Sequence, residues 1–212
     1  MTLTHSLTTD WADSGTDEAR HGGLSPFGEE VVREMNRLGM FVDLSHVSPE
    51  TMRDALRVTR APVLFSHSSA RGVTDQPRNV PDDVLRELAR NGGVIMVTFV
   101  PQFVNADPAA ASLADVANHI DHIRRVAGID HIGIGGDFDG ISSVPAGLED
   151  VSADPAHFAE LLRRGYSEED LRKISRENVV RAMRQMEEVA DRLRRERPPS
   201  LADRVPAAVP VP

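Results

Sequence analysis

Four short apolar runs in this 212-residue chain end on a side chain that can bind a metal or move a proton. In APVLFSHSSARG, residues 61 to 72, Val63, Leu64 and Phe65 lead to His67. In LGMFVDLSHV, residues 38 to 47, Met40, Phe41, Val42 and Leu44 lead to His46. MTLTHS places His5 after a β-prone start, and DHIGIGGDFDG, residues 130 to 140, places Asp137 and Asp139 after another apolar run. Four such ends imply one shared rim, the layout of a parallel α/β barrel whose reactive groups collect at the C-terminal ends of its strands.

His46 and His67 lie 21 residues apart, one strand-helix repeat, which sets them on neighbouring strands at equal height. Two neutral imidazoles there can share a zinc ion; equally, each can be a hydrogen-bonded polar cap on a strand end. Asp137 follows Gly135 and Gly136 and suits a general acid or base acting on an activated water, or a brace for its loop, a role that fits Asp139 better. His5 can donate to a developing oxyanion, although a residue so near a terminus is often poorly ordered. Arg78, in DQPRNVPDD after the His67 strand, has the planar fork that grips a carboxylate, while an isolated loop arginine is more often solvated. His119, His122 and His157 fall in helical stretches, where surface or helix-face roles are expected.

The elements that must position these groups alternate. Residues 7 to 26 read as a long loop carrying the only tryptophan, Trp11, and loops of that length are usually functional or disordered. Val31, Val32, Met35 and Leu38 are spaced as on a helix that Gly39 ends, and a strand from Met40 to Leu44 follows at once. Ser48 and Pro49 read as an N-cap and first helical residue of a helix to about Val58. A strand over 62 to 66, a helix over 81 to 90 ended by Asn91-Gly92-Gly93, and a strand over 94 to 99 come next. A helix over 112 to 127, a strand over 131 to 135 and helices near 155 to 164, 167 to 173 and 175 to 195 complete residues 1 to 195 as one domain. Residues 196 to 212 form a tail rich in proline and alanine, expected to be disordered. Alternation of this kind argues a parallel sheet. Five strands suit an open doubly wound sheet as readily as part of an eight-stranded barrel of about 250 residues.

Composition narrows the function classes. A formal charge of -9 and a pI near 5.3, with basic residues scattered along helices, argue against a nucleic-acid surface. No run approaches the length of a membrane span and no signal pattern opens the chain, so a cytoplasmic location is expected. There are no cysteines, so any metal must be held by His, Asp or Glu. Lys173 is the only lysine among 24 basic residues, a bias expected of a GC-rich bacterial genome.

Together the segments TLTHS with TDWAD, GLSPFGEEVVREMNRLGMFVDLSHVS, APVLFSHSSARGVTDQPRNVPDDVL, NGGVIMVTF, IGIGGDFDGI with GLEDVS, and RRGYSEEDLRKI resemble the membrane dipeptidase (renal dipeptidase-like) family of zinc metallopeptidases, from residue 2 to about 190. The resemblance implies a (β/α)8 TIM-type barrel with two bridged zinc ions that hydrolyses dipeptides. By position, His46 and His67 match the histidines on the second zinc. His5 matches the residue that contacts substrate and stabilises the tetrahedral intermediate, Arg78 the arginine on the dipeptide's terminal carboxylate, and Asp137 the aspartate that handles the proton. Phe103 stands where the family's substrate-side aromatic is expected.

The family's His-x-Asp pair on the first strand and bridging glutamate on the third have no counterpart here. The resemblance therefore implies strands four to eight only, and at most one partial zinc site. Such a chain is expected to be inactive or weakly active alone, and either a homodimer or completion by the N-terminal half would supply a partner. The alternatives are a catalytically dead barrel fragment serving as a binding or interaction module, and a complete open-sheet protein of unrelated function.

Overall fold

The computed structural model describes residues 1 to 202; the greater part of the tail expected to be disordered, residues 203 to 212, lies outside the described residues. Alternation of strand and helix is realised as a parallel α/β arc. Strands β1 (Leu64–Ser68), β2 (Val94–Val97) and β3 (Ile132–Ile134) pair in that order, all parallel. Two isolated parallel bridges, Thr2 to Asp43 and Asp43 to Leu64, extend the sheet by the segments that carry His5 and His46. The five strand positions thus stand side by side in chain order, as in a (β/α) barrel; an open doubly wound sheet would reverse that order part-way.

Helices α1 (Pro26–Leu38), α2 (Pro49–Val58), α3 (Asp82–Asn91), α4 (Pro101–Val104), α5 (Leu113–Val126), α6 (Asp154–Arg163), α7 (Glu168–Arg172) and α8 (Asn178–Glu196) complete the arc. Their ends are where the local chemistry puts them. The Ser25 and Ser48 hydroxyls accept from the Gly28 and Thr51 amides ahead of prolines at the first helical position, and Gly39 and Gly92 close α1 and α3 in the left-handed region. Phe65, Ile95 and Ile132 share one face of the sheet by register and are fully buried in one core with Leu85, Leu88, Ile120 and Ile123. The expected helices at 167 to 173 and 175 to 195 form one continuous run, joined by a π-helical turn over Lys173–Glu177.

That last run braces the sheet from the end opposite His46 and His67. The Asn178 amide donates to the Ile129 and Ile132 carbonyls, and the Arg181 guanidinium donates to the carbonyls of Gly92 and Asp130. Each bond satisfies a carbonyl that borders a strand's N-terminal end, where the backbone ladder has no partner to offer. Farther along, Ala190 lies against Gly39 and Glu196 pairs with Arg60 at 2.8 Å.

The expected strand over 40 to 44 is reduced to its bridges at Asp43, for a side-chain reason. The Asp43 carboxylate accepts the Ser45 and Ser66 amides, at 3.1 and 3.0 Å, in place of backbone carbonyls. The loop over 7 to 26 is likewise ordered by a carboxylate. Asp13, fully buried, accepts the amides of Arg20, His21 and Gly23, while its own carbonyl accepts from Ser48 and Thr51 at the start of α2.

His119 and His157, expected to have surface or helix-face roles, are not surface residues; both lie on the covered faces of α5 and α6 and are fully buried. His119 accepts the Ala70 amide at Nδ1 and lies 3.2 Å from the Val104 carbonyl at Nε2. His157 sits between the Phe99 and Phe158 rings with neither ring nitrogen bonded to another protein group. Burial depresses both pKa values to about 4, assisted at His157 by the Arg164 charge and partly offset at His119 by the Val104 carbonyl. The folded state therefore binds fewer protons than the unfolded chain between about pH 6.5 and pH 4. Stability is complete above that window and falls as pH drops through it, on the order of 3 kcal/mol per histidine at pH 4. Replacing His157 by Leu is expected to stabilise the fold by about 1 to 2 kcal/mol at pH 8, because it removes unpartnered polar atoms. It should also remove the share of the acid-dependent loss that His157 contributes, about 2 kcal/mol between pH 8 and pH 5; urea midpoints at pH 8 and pH 5 measure both effects.

Candidate active site

The side chains singled out by sequence spacing come together at one rim. The Nε2 atoms of His46 and His67 are 2.8 Å apart, and the His5 ring stacks on His46 with centroids 4.1 Å apart. Arg78 and Asp137 complete the group electrostatically. The Asp137 charge acts on both His67 and Arg78, and the Arg78 charge acts on both His46 and His67. Asp139 remains exposed.

Backbone geometry aims these groups. Pairing of β1 with β2 slips between Phe65 and Ser68, a bulge that falls on Ser66 and His67. A bulge inserts a residue and turns the following side chain out of the regular alternation. Among the described residues, the only non-glycine positions with positive φ are His46, at 75°, and Asp137, at 64°. Left-handed backbone costs a residue with a Cβ about 1 to 2 kcal/mol, and such strain collects where geometry serves function. At His46 it is held from outside: its carbonyl accepts the Gly15 amide at 2.7 Å and lies 3.3 Å from the Ser14 hydroxyl, which donates to the His5 carbonyl at 2.9 Å. Gly135 is required by contact, since a Cβ there would lie 2.1 Å from the Ser66 carbonyl oxygen.

The electrostatics favour the neutral forms of His46 and His67. Burial, then the Arg78 charge and the neighbouring imidazoles, depress His46 to about 3, and burial is also the leading cause of the lowered value at His67. Neutral rings keep a lone pair for a metal at physiological pH. Arg78, expected to be solvated as an isolated loop arginine, is instead 5% exposed, with Nη1 bonded to no other protein group and its guanidinium 5.3 Å from the Phe103 ring centroid. Burial lowers its pKa to about 10, which leaves the charge intact. Asn79 fixes that arrangement, donating to the Thr74 and Phe103 carbonyls.

As a metal centre the group is right in kind and short in number. Two imidazoles converge, while zinc takes about four ligands. Among the described residues no cluster of three or more His, Asp or Glu side chains could hold an ion.

The sequence profile of the membrane dipeptidase family, peptidase family M19, matches residues 1 to 197. This chain belongs to that family. Solved structures agree in fold. The probable dipeptidase PvdM from Pseudomonas aeruginosa is 27% identical with a TM-score of 0.83, over 89% of this chain and 62% of that one. An amidohydrolase from Pseudomonas aeruginosa is 30% identical with a TM-score of 0.79, over 87% of this chain and 63% of that one. A metallopeptidase from Rhodobacter sphaeroides, liganded with a phosphinate mimic of the dipeptide L-Ala-D-Ala, is 33% identical with a TM-score of 0.75, over 82% and 49%. This membrane dipeptidase chain therefore spans about half to three fifths of the length of the relatives it matches. Among its described residues no helix is long and apolar enough to cross a membrane.

Several residues that build the site escaped the sequence reading. Asp43, Ser45 and Ser66 surround His67, Ser14 holds His46, and Asn79 places Phe103. The only trace they leave is a serine one residue before His46 and His67, in LSH and FSH. In this dipeptidase fold His46→Gly should relieve the left-handed strain, leaving thermal stability unchanged or raised by up to about 1 kcal/mol. Gly135→Ala should do the reverse, destabilising by about 2 kcal/mol or more through overpacking against Ser66, as read by urea unfolding.

Proposed function

We propose that this chain is the substrate-gripping and second-metal portion of a zinc-dependent dipeptidase, in which an activated water attacks the peptide carbonyl. The observation that carries the reading is the meeting of three strand-end histidines with a buried guanidinium that has an unpartnered nitrogen. A buried charged donor without a partner is costly unless a ligand supplies one. The free α-carboxylate of a dipeptide matches it in charge and in planar, two-oxygen geometry. The likeness to a metallopeptidase liganded with a dipeptide mimic supports the same substrate class.

In this reading His46 and His67 hold one zinc ion, and strands and ligands beyond those described complete a two-zinc site within a closed barrel. Such a centre supplies Lewis-acid activation of water and carbonyl. Arg78 fixes the dipeptide by its carboxylate, with its guanidinium held over the Phe103 ring, so the scissile bond lies a set distance from the rim. His5 donates to the carbonyl oxygen as charge grows on it. Asp137 takes a proton from the attacking water and delivers it to the leaving amino nitrogen. The free edge beside residues 1 to 5 and that beside β3 are where the remaining strands would pair.

Two measurements test this. Elemental analysis of the purified chain should give fewer than two zinc ions, the remainder lost to mild chelation; two tightly held ions would overturn the partial-site reading. In a protein with the barrel completed, Arg78→Met should lower kcat/KM for a dipeptide about 100-fold, chiefly through KM, on the scale of a lost charge-assisted pair. The same change should alter hydrolysis of the dipeptide amide, which has no carboxylate, by less than about threefold. Equal losses on both substrates would remove Arg78 from carboxylate recognition, and no zinc-dependent turnover at all would favour a binding module.

A further inference from the structure

Behind His67, on the side away from His46, runs a chain of three polar groups. The Ser66 hydroxyl lies 2.6 Å from Asp43 Oδ2 and 2.8 Å from His67 Nδ1. Asp43 accepts at every contact it makes. Oδ1 takes the Ser45 and Ser66 amides, and Oδ2 takes the Thr2 and Ser66 hydroxyls. A carboxylate is an acceptor only, and a serine hydroxyl has one proton to give. The Ser66 proton is therefore committed to Asp43, and what Ser66 offers His67 is a lone pair. His67 must then carry its own proton on Nδ1, which leaves Nε2 bare and directed at His46, 2.8 Å away. The His67 amide donates to the Ser45 hydroxyl at 2.9 Å, so the main chain of the same residue is held by a second serine.

We infer that Asp43 and Ser66 are positioning residues that lock His67 in its Nδ1–H tautomer and so present its Nε2 lone pair to the rim. Partners of this sort, one step removed from a ligand, orient the ring and typically change metal affinity by about 10- to 100-fold. The chain Asp43, Ser66, His67 is a two-step version in which a hydroxyl carries the polarity of the carboxylate to the ring. Its importance for hydrolysis rests on the dipeptidase reading above; the tautomer itself does not.

The test is the ¹⁵N chemical shifts of the His67 ring in the metal-free chain at pH 8, assigned by the resonances missing from His67→Gln. In the unsubstituted chain Nδ1 should show the protonated, pyrrole-type shift and Nε2 the bare, pyridine-type shift. Ser66→Ala removes the acceptor with little change in volume and should lower the Nδ1–H population at least threefold, whereas Ser66→Thr, which keeps the hydroxyl, should retain it. Zinc affinity of the Ser66→Ala chain, measured by competition with a chromophoric chelator, should fall about tenfold. An Nε2–H ring in the unsubstituted chain, or one unchanged by Ser66→Ala, would overturn the lock. A shifted tautomer with unchanged zinc affinity would overturn its role in metal binding. Because the ring shifts need neither zinc nor substrate, a completed barrel that hydrolysed no dipeptide would sink the functional reading and leave the lock standing.

Discussion

Much of the rim depends on one carboxylate. Asp43, nearly buried, takes two hydroxyl and two amide donors, and those donors come from three neighbouring strand segments, at Thr2, Ser45 and Ser66. A buried charge is tolerated only when it is hydrogen-bonded in this way. The cost of burying it is thus tied to the three segments remaining in register. The backbone ladder between residues 40 to 45 and β1 runs through Leu44 and Leu64. Beyond it the Ser45 and Ser66 amides turn to the Asp43 carboxylate instead, so the local backbone departs from regular pleating. The bulge at Ser66 and His67 and the left-handed turn at His46 both sit within that departure.

Strain and support are divided between the two ends of the sheet. At the C-terminal ends stand the two left-handed non-glycine residues found among the described residues, three rim imidazoles and a buried arginine with an unpartnered nitrogen. None of these favours folding by itself. At the N-terminal ends Asn178 and Arg181 satisfy four carbonyls, and Ala190 packs on Gly39. A site can hold groups in costly arrangements only if the elements that carry them are anchored elsewhere. Here the anchor is α8, which follows all three strands in sequence and crosses beneath them.

Much of the architecture was legible in the sequence because it follows from short-range rules. Ser48-Pro49, Gly39 and Gly92 mark helix ends through capping and left-handed backbone, which involve only a few neighbouring residues. His46 and His67 were legible as a pair because one strand-helix repeat separates them. The buried states of His119 and His157 were not, since a histidine on a helix has the same local pattern whether the facing element covers it or not. The burial of Arg78 depends on Phe103, which reaches it from the short helix α4 and whose carbonyl is held by the adjacent Asn79.

The sequence by itself determined the order of elements, the presence of an imidazole or carboxylate at four of the five strand ends and, through long matching segments, the dipeptidase family. Those properties reside in residue type and spacing along one chain. Tertiary structure decided which atoms of those residues face each other, which ring nitrogen stays bare and which charges lose their water. Each of these depends on contacts between segments tens of residues apart. Thr2, Asp43 and Ser66 meet at one point only after the strands align, and no local pattern encodes that meeting.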